Sequence, residues 1–405
     1  MKISDLEKEV VGTGGRFGYS DEMAIIAKMV TTSCQVTDCA DHNLIFVHVG
    51  DDGPLSSSAW KALASLPAVE CLRLPIQEFQ KFKPVQERFT KLHTLTIAGD
   101  GETEFDFSLI GSSKLRSLAI YSIPVDFVEI AKLTRIRHLK LGFVDRFENI
   151  TALGTCKNLE SLLVGGEDPQ EWGVVKSLNR LTVLELPPTQ SVCSTTFNGL
   201  TRLESLSVSL DESSTFDPIG KLVRLRRLNL YGGADRDLSK LHRLTEMTSL
   251  VGRDMETGFA CLKNFGQLER LGLNRSRISD LSNIGSDWLL SLNLIDCEQV
   301  VDLNPLARFS RLQKLCLRGT NVSVVSALAS LKNLEDLDLG FTKVSDISPL
   351  ANHPELESLN LVDTEVRDLS PLVSCPKLKS LRLPADPTDD SLEKLKSKLG
   401  IRLNG

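Results

Sequence analysis

The chain has none of the short motifs that mark catalysis, metal binding or membrane insertion, and each absence narrows its function. No run of 18 apolar residues occurs, so no segment can span a bilayer as a helix. No basic start leads into an apolar core and small-residue cleavage site, which sets the expectation of a cytoplasmic protein, or of export by a non-classical route. No C-x-x-C pair is present, and nine irregularly spaced cysteines form neither an even disulfide framework nor a zinc set. They are expected to be small buried hydrophobes in a reducing compartment. The six histidines (His42, His48, His93, His138, His242, His353) are scattered, with no H-E-x-x-H spacing, and no G-x-S-x-G is found. Neither an enzyme nor a cofactor or metal site is expected. There is no excess of basic charge either. A net charge of −6 argues against non-specific binding to nucleic acid or to an anionic membrane.

What is present is repetition. In LKNLEDLDLGFTKVSDISPLANHPELESLNL, residues 331–361, the string Leu334, Leu337, Leu339 recurs 22 residues later as Leu356, Leu359, Leu361. Alternate side chains of an extended strand point the same way, so Leu337 and Leu339 face inward while Asp336 and Asp338 face out. One such unit cannot bury its leucines alone, but stacked copies can. A period of 20–29 residues carrying this string is the signature of a leucine-rich repeat.

The register can be counted along most of the chain. The first position of the string is Val69, Leu92, Leu115, Ile136, Leu159, Leu181, Leu203, Leu225, Met247, Leu268, Leu289, Leu312, Leu334, Leu356 and Leu378, at spacings of 21, 22 or 23. The expected architecture is an α/β solenoid, a horseshoe with one curved parallel sheet on its concave face and short helical or irregular return segments on its convex face. The strand after Met247, where Gly252 replaces a leucine, is expected to be the shortest or most distorted.

Domain boundaries follow from where the repeats stop. Residues 1–60 are expected to form an N-terminal helical cap leading into a first strand, with helices near 1–10 and 20–30, the glycine-rich GTGGRFG at 12–18, and a strand near 42–49. The glycine-rich loop follows no buried strand and precedes no Lys-Ser or Lys-Thr, so it is read as a turn and not a phosphate cradle. Residues 61–385 form the solenoid. Residues 386–405 are expected to be a capping helix starting at Thr388, with Leu392, Leu395 and Leu399 on one face, then a last strand around Leu403.

The later return segments are the most regular. SRISDLSNI, TNVSVVSAL, TKVSDISPL and TEVRDLSPL place Ser276, Thr320, Thr342 and Thr364 in the turn after each strand, with Cys297 in the same role. These side chains can bond the turn backbone, and Pro305, Pro349 and Pro371 suit the start of a helical turn. In the first half the turn position is held by Gln77, Asp100, Ile123, Val144 and Glu167. D-I-S-P-L and D-L-S-P-L after L-x-L-x-x-T-x-V resemble the 22-residue repeats of bacterial internalins and of phosphatase-regulator proteins. The resemblance covers 265–385 in full and 66–265 in the strand string alone. It implies a non-enzymatic scaffold that recognises a partner protein on its concave face. A bacterial immunity or antitoxin-like protein and an effector delivered into a host cell are the alternatives.

A binding function would be written at the outward strand positions. Early repeats carry small neutral residues there, such as Thr94, Thr96, Ser117, Ala119, Ser205 and Ser207. From Leu225 onward these give way to Arg227, Asn229, Tyr231, Arg253, Arg270, Asn274, Asn293, Lys314 and Arg318. Arginine and tyrosine are enriched at interface hot spots. The expected partner is therefore a protein with an acidic patch. Asp336 and Asp338 are read as a solvated charge pair, not a catalytic dyad.

Overall fold

The computed structural model describes residues 34–39, 44–49, 55, 57–64, 69–101, 103, 105–106, 110, 114–166, 171–187, 191–234, 236–388, 390, 392–395 and 402–404. The expected helices at 1–10 and 20–30, the glycine-rich loop, His42 and Leu399 lie outside these. The chain divides into two compact units, Met1–Gln190 and Ser191–Gly405.

In the first unit a hairpin not foreseen from sequence comes first, with Cys34–Cys39 antiparallel to Leu44–Val49. From there each repeat adds one parallel strand: Val69–Pro75, Thr94–Ala98, Ser117–Tyr121, His138–Gly142, Ser161–Val164 and Val183–Glu185. Return segments are short α-helices, as at Ser57–Leu63, Phe79–Phe82 and Phe127–Ala131, then 3-10 turns at Ile150–Thr155 and Trp172–Ser177. Aromatic rings fill the wider space beneath the helices. Trp60 and Phe82 lie 5.7 Å apart, and Phe82 and Phe89 5.6 Å. The Trp60 indole N–H donates to buried Glu78 at 2.8 Å, and Lys81 stands 3.3 Å from the other carboxylate oxygen. A buried carboxylate needs such partners.

The second unit holds Ser191–Val192, Ser205–Leu210, Arg227–Gly232, Ser249–Arg253, Arg270–Asn274, Ser291–Asn293, Lys314–Cys316, Asp336–Asp338, Ser358–Asn360, Ser380–Arg382 and Arg402–Asn404, each parallel to the next. The string leucines stack in one register row from Leu206 through Leu228, Leu250, Leu271, Leu292, Leu315, Leu337 and Leu359 to Leu381. All nine are buried. Each contributes about 1.5–3 kcal/mol by leaving water, and that row supplies much of the unit's cohesion.

The turn after each strand is held by side chains. Thr320, Thr342 and Thr364 donate their hydroxyls to the carbonyls of Leu317, Leu339 and Leu361 at 2.7, 2.6 and 2.7 Å. The Cys297 thiol reaches the Leu273 carbonyl at 2.6 Å. In the first unit Ile123 and Val144 occupy this position as buried hydrophobes. The residue just before it is left-handed, with φ of 59° at Asp254, 56° at Arg275 and Asp296, 69° at Gly319, 58° at Phe341 and 52° at Asp363. Pro305, Pro349 and Pro371 fall in the first turn of 3-10 segments, where a missing N–H is harmless.

Two expectations are corrected. The strand after Met247, Ser249–Arg253, has five residues, longer than the three-residue strands of the regular repeats. Gly252 does not break it, because the Met255 side chain fills the space where a leucine would sit, 3.1 Å from an ideal Cβ. The cysteines are also not uniformly buried: Cys156, Cys261, Cys297 and Cys375 are, whereas Cys71 and Cys316 are half-buried and Cys193 is exposed.

At the end of the chain, the Leu392 N–H donates to the Thr388 carbonyl at 3.1 Å, and Leu395 is fully buried. The last strand, Arg402–Asn404, pairs with Ser380–Arg382.

Candidate functional site

The outward positions of the second unit lie in straight rows. The first runs Ser205, Arg227, Ser249, Arg270, Ser291, Lys314, Asp336, Ser358, Ser380. The second runs Ser207, Asn229, Val251, Gly272, Asn293, Cys316, Asp338, Asn360, Arg382. Tyr231 continues its own strand and pairs with Ser209, and Arg253 pairs with Asn274. Parallel rungs lie about 4.8 Å apart, which sets Arg227 and Arg270 about 10 Å from one another across Ser249.

Eight of the nine residues proposed from sequence thus fall at outward positions of paired strands, and Arg318, just past Lys314–Cys316, lies beside Asp338 and Asn360 around Gly340. Their environments differ. Arg227 and Arg270 are exposed and have no ion-pair partner among the described residues. Short serines on the flanking rungs leave their guanidinium groups accessible. Tyr231 and Asn229 are half-buried. Arg253 lies 3.7 Å from Asp254, a carboxylate that Arg275 also contacts at 3.0 Å. Lys314 pairs with Asp336 at 3.6 Å. Asn293 is oriented by accepting the Ile295 N–H at 3.1 Å. The Asn274 side-chain oxygen is buried with no hydrogen-bond partner. Arg318 lies over the Phe341 ring, 4.1 Å from its centroid.

The same face carries a hollow of about 450 Å³ that begins at Asn293 and Lys314 and extends past them, to Cys316, Asp336, Asp338, Asn360 and Arg382. Asp338 accepts from the Gly340 N–H at 2.8 Å and from the Asn360 amide at 2.9 Å. The Asn360 oxygen in turn accepts from the Val362 N–H at 3.1 Å. Asp338, expected from sequence to be solvated, is half-buried and hydrogen-bonded. Asn360 and Arg382, not singled out from sequence, follow it on the next two rungs of the row, beyond the run of positive charges. Burial raises the Cys316 thiol to about 11, so it stays protonated and is no nucleophile.

No helix among the described residues is long and apolar enough to cross a membrane. No group of three or more His, Cys, Asp or Glu among them could hold a metal ion.

A family model described as Leucine Rich repeats (2 copies) matches residues 310–352. No curated protein matches the chain. Among solved structures, an internalin (inlF) from Listeria monocytogenes is 23% identical over 68% of this chain and 82% of its own, with a TM-score of 0.57. A Leptospira interrogans LRR protein is 17% identical over 87% of this chain and 100% of its own, with a TM-score of 0.64. A plant peptide hormone receptor, RGFR1, solved in complex with RGF2, is 16% identical over 86% of this chain and 60% of its own, with a TM-score of 0.50. The fold is therefore that of a leucine-rich repeat solenoid. Its repeats resemble those of internalins.

Proposed function

We propose that this is a non-enzymatic scaffold that binds an acidic patch of a partner protein on the open sheet face of residues 191–405. The observation that carries this reading is the pair Arg227 and Arg270, exposed, unpaired among the described residues and flanked in their row by Ser205, Ser249 and Ser291. An unpaired arginine beside short side chains offers its planar fork to a carboxylate without first breaking an internal ion pair. Asn229, Asn274 and Asn293 supply hydrogen bonds around it, and Tyr231 supplies aromatic area. Arg253, Lys314 and Arg318 already have intramolecular contacts and act at the rim, where charge steers encounter more than it holds the complex. The leucine-rich repeat fold, which commonly mediates protein–protein binding, is consistent with this reading. In this reading residues 1–60 and 386–405 act as caps. The buried thiols, kept protonated, suit a reducing compartment.

The test is affinity capture from the source cell with wild type and with Arg227→Glu, Arg270→Glu, quantified by mass spectrometry. A protein retained by wild type and lost by the variant supports the reading. Identical captures from both contradict it.

A further inference from the structure

The first unit carries a second charged surface, away from the outward strand rows. The residue just before the string start is Lys91, Lys114 and Arg135 in three consecutive repeats, and the residue just after it is His93, Arg116 and Arg137. The backbone ladder puts the latter on adjacent rungs. The Arg116 N–H donates to the His93 carbonyl at 2.9 Å, and the Arg137 N–H to the Arg116 carbonyl at 2.7 Å. Five cations, Lys91, Lys114, Arg116, Arg135 and Arg137, are thus stacked along one edge, all exposed.

Their neutralisation is incomplete. Glu160 pairs with Arg137 at 3.3 Å and with Arg180 at 3.5 Å, Glu129 with Lys132 at 2.5 Å, and Glu70 with His93 at 3.1 Å. Lys91, Arg116 and Arg135 have no ion-pair partner among the described residues. Like charges on neighbouring rungs about 4.8 Å apart repel and weaken the sheet they decorate. Nothing in the leucine core requires cations here, since exposed positions accept any polar residue. In a chain with net charge −6, a one-sign row of this kind gains most when an anion covers it.

We infer that this edge is a docking surface for a run of aspartates and glutamates in a partner protein. Charge complementarity names the occupant. Glu70 and Glu160 bound the row at both ends, which suits a short acidic segment and opposes a long polyphosphate chain. No exposed Phe, Tyr or Trp stands at these positions, so nucleotide bases would find no stacking platform. This surface is independent of the arginines at Arg227 and Arg270 and does not rest on that reading.

The experiment measures binding of fluorescent poly-L-glutamate to the full chain by anisotropy, at low and raised salt, beside poly-dT and phosphatidylserine vesicles. Poly-L-glutamate binds and releases as salt rises. Lys114→Gln, Arg116→Gln, Arg135→Gln weakens it by about tenfold or more, since three surface charge contacts are lost. The charge-preserving pair Arg116→Lys, Arg135→Lys retains most of the binding and melts as wild type does by circular dichroism, while the Gln variant, relieved of like-charge repulsion, melts no lower than wild type. If the Gln variant binds as wild type does, the inference is overturned. If only Arg227→Gln, Arg270→Gln weakens binding, this inference falls and the open-face reading stands. If poly-dT or the vesicles bind more tightly than poly-L-glutamate and share its sensitivity to the Gln variant, the partner class is wrong.

Discussion

Arg318 and Phe341 form a stacked pair, the guanidinium carbon 4.1 Å from the ring centroid, on a turn where Phe341 adopts a left-handed φ of 58°. Neighbouring repeats place Asp296, Gly319 and Asp363 at that turn. A bulky residue there is strained by about 1 kcal/mol, and the cation–π contact returns about as much. Gly340, next to Phe341, leaves room for the Asp338–Asn360 hydrogen bond: an ideal Cβ on it would stand 3.0 Å from the Asn360 amide nitrogen and 3.1 Å from an Asp338 oxygen. Phe341→Gly should therefore leave stability within about 1 kcal/mol of wild type while releasing Arg318 and slowing partner association. Chemical denaturation and surface plasmon resonance on the two proteins check both halves.

Leu337 and Asp338 are adjacent but face opposite ways. Leu337→Ala empties a site in the close-packed row and should cost about 2–5 kcal/mol. Asp338→Ala should cost about 1 kcal/mol, not nothing, because the carboxylate accepts from Gly340 and Asn360. Urea melts of the two variants should keep that order, and equal losses would refute the inward and outward assignment.

Val324 stands where neighbouring repeats cap a turn with aspartate. Asp302, Asp346 and Asp368 each accept the N–H two residues on, from Asn304, Ser348 and Ser370, at 2.9, 2.8 and 2.8 Å. Val324 is 63% exposed and offers nothing to Ser326. Val324→Asp should stabilise the protein by about 0.5–2 kcal/mol. A thermal melt no higher than wild type would contradict this.

His353 sits in a core position that is leucine or cysteine in its neighbours, fully buried, with both ring nitrogens 3.0 Å from carbonyls of Leu350 and Leu328. Burial holds its pKa below the ordinary 6.5, outweighing those carbonyls. A histidine whose folded pKa is depressed binds its proton more readily when unfolded, so stability falls as pH drops below about 6.5. The lowered carboxylates of Asp211, Asp280 and Asp368 titrate below 3.8, outside that window. His353→Leu should flatten the stability profile between about pH 7 and 5, as urea midpoints across that range would show.

The strand string was legible because its period-two burial writes itself directly into sequence, and the turn threonines because their offset is fixed. What escaped needed neighbours in register. The tie between Asp338 and Asn360 spans 22 residues and one rung, and Arg116 meets Arg137 only once the backbone ladder is drawn. Gly252 suggests a break after Met247, yet the strand is regular there because Met255, three residues on, fills the leucine's place. The exposure of Cys193 is not legible in composition, which says nothing of which cysteines the turns expose.

The most direct test of the central claim is partner affinity measured for wild type, for Arg227→Glu, Arg270→Glu, and for Lys221→Glu, Lys263→Glu, an equal charge change on exposed return-segment residues of the same unit. The account predicts that the first pair weakens binding by about 2 kcal/mol or more while the second barely changes it. Equal weakening by both pairs, or normal binding by the first, would contradict it.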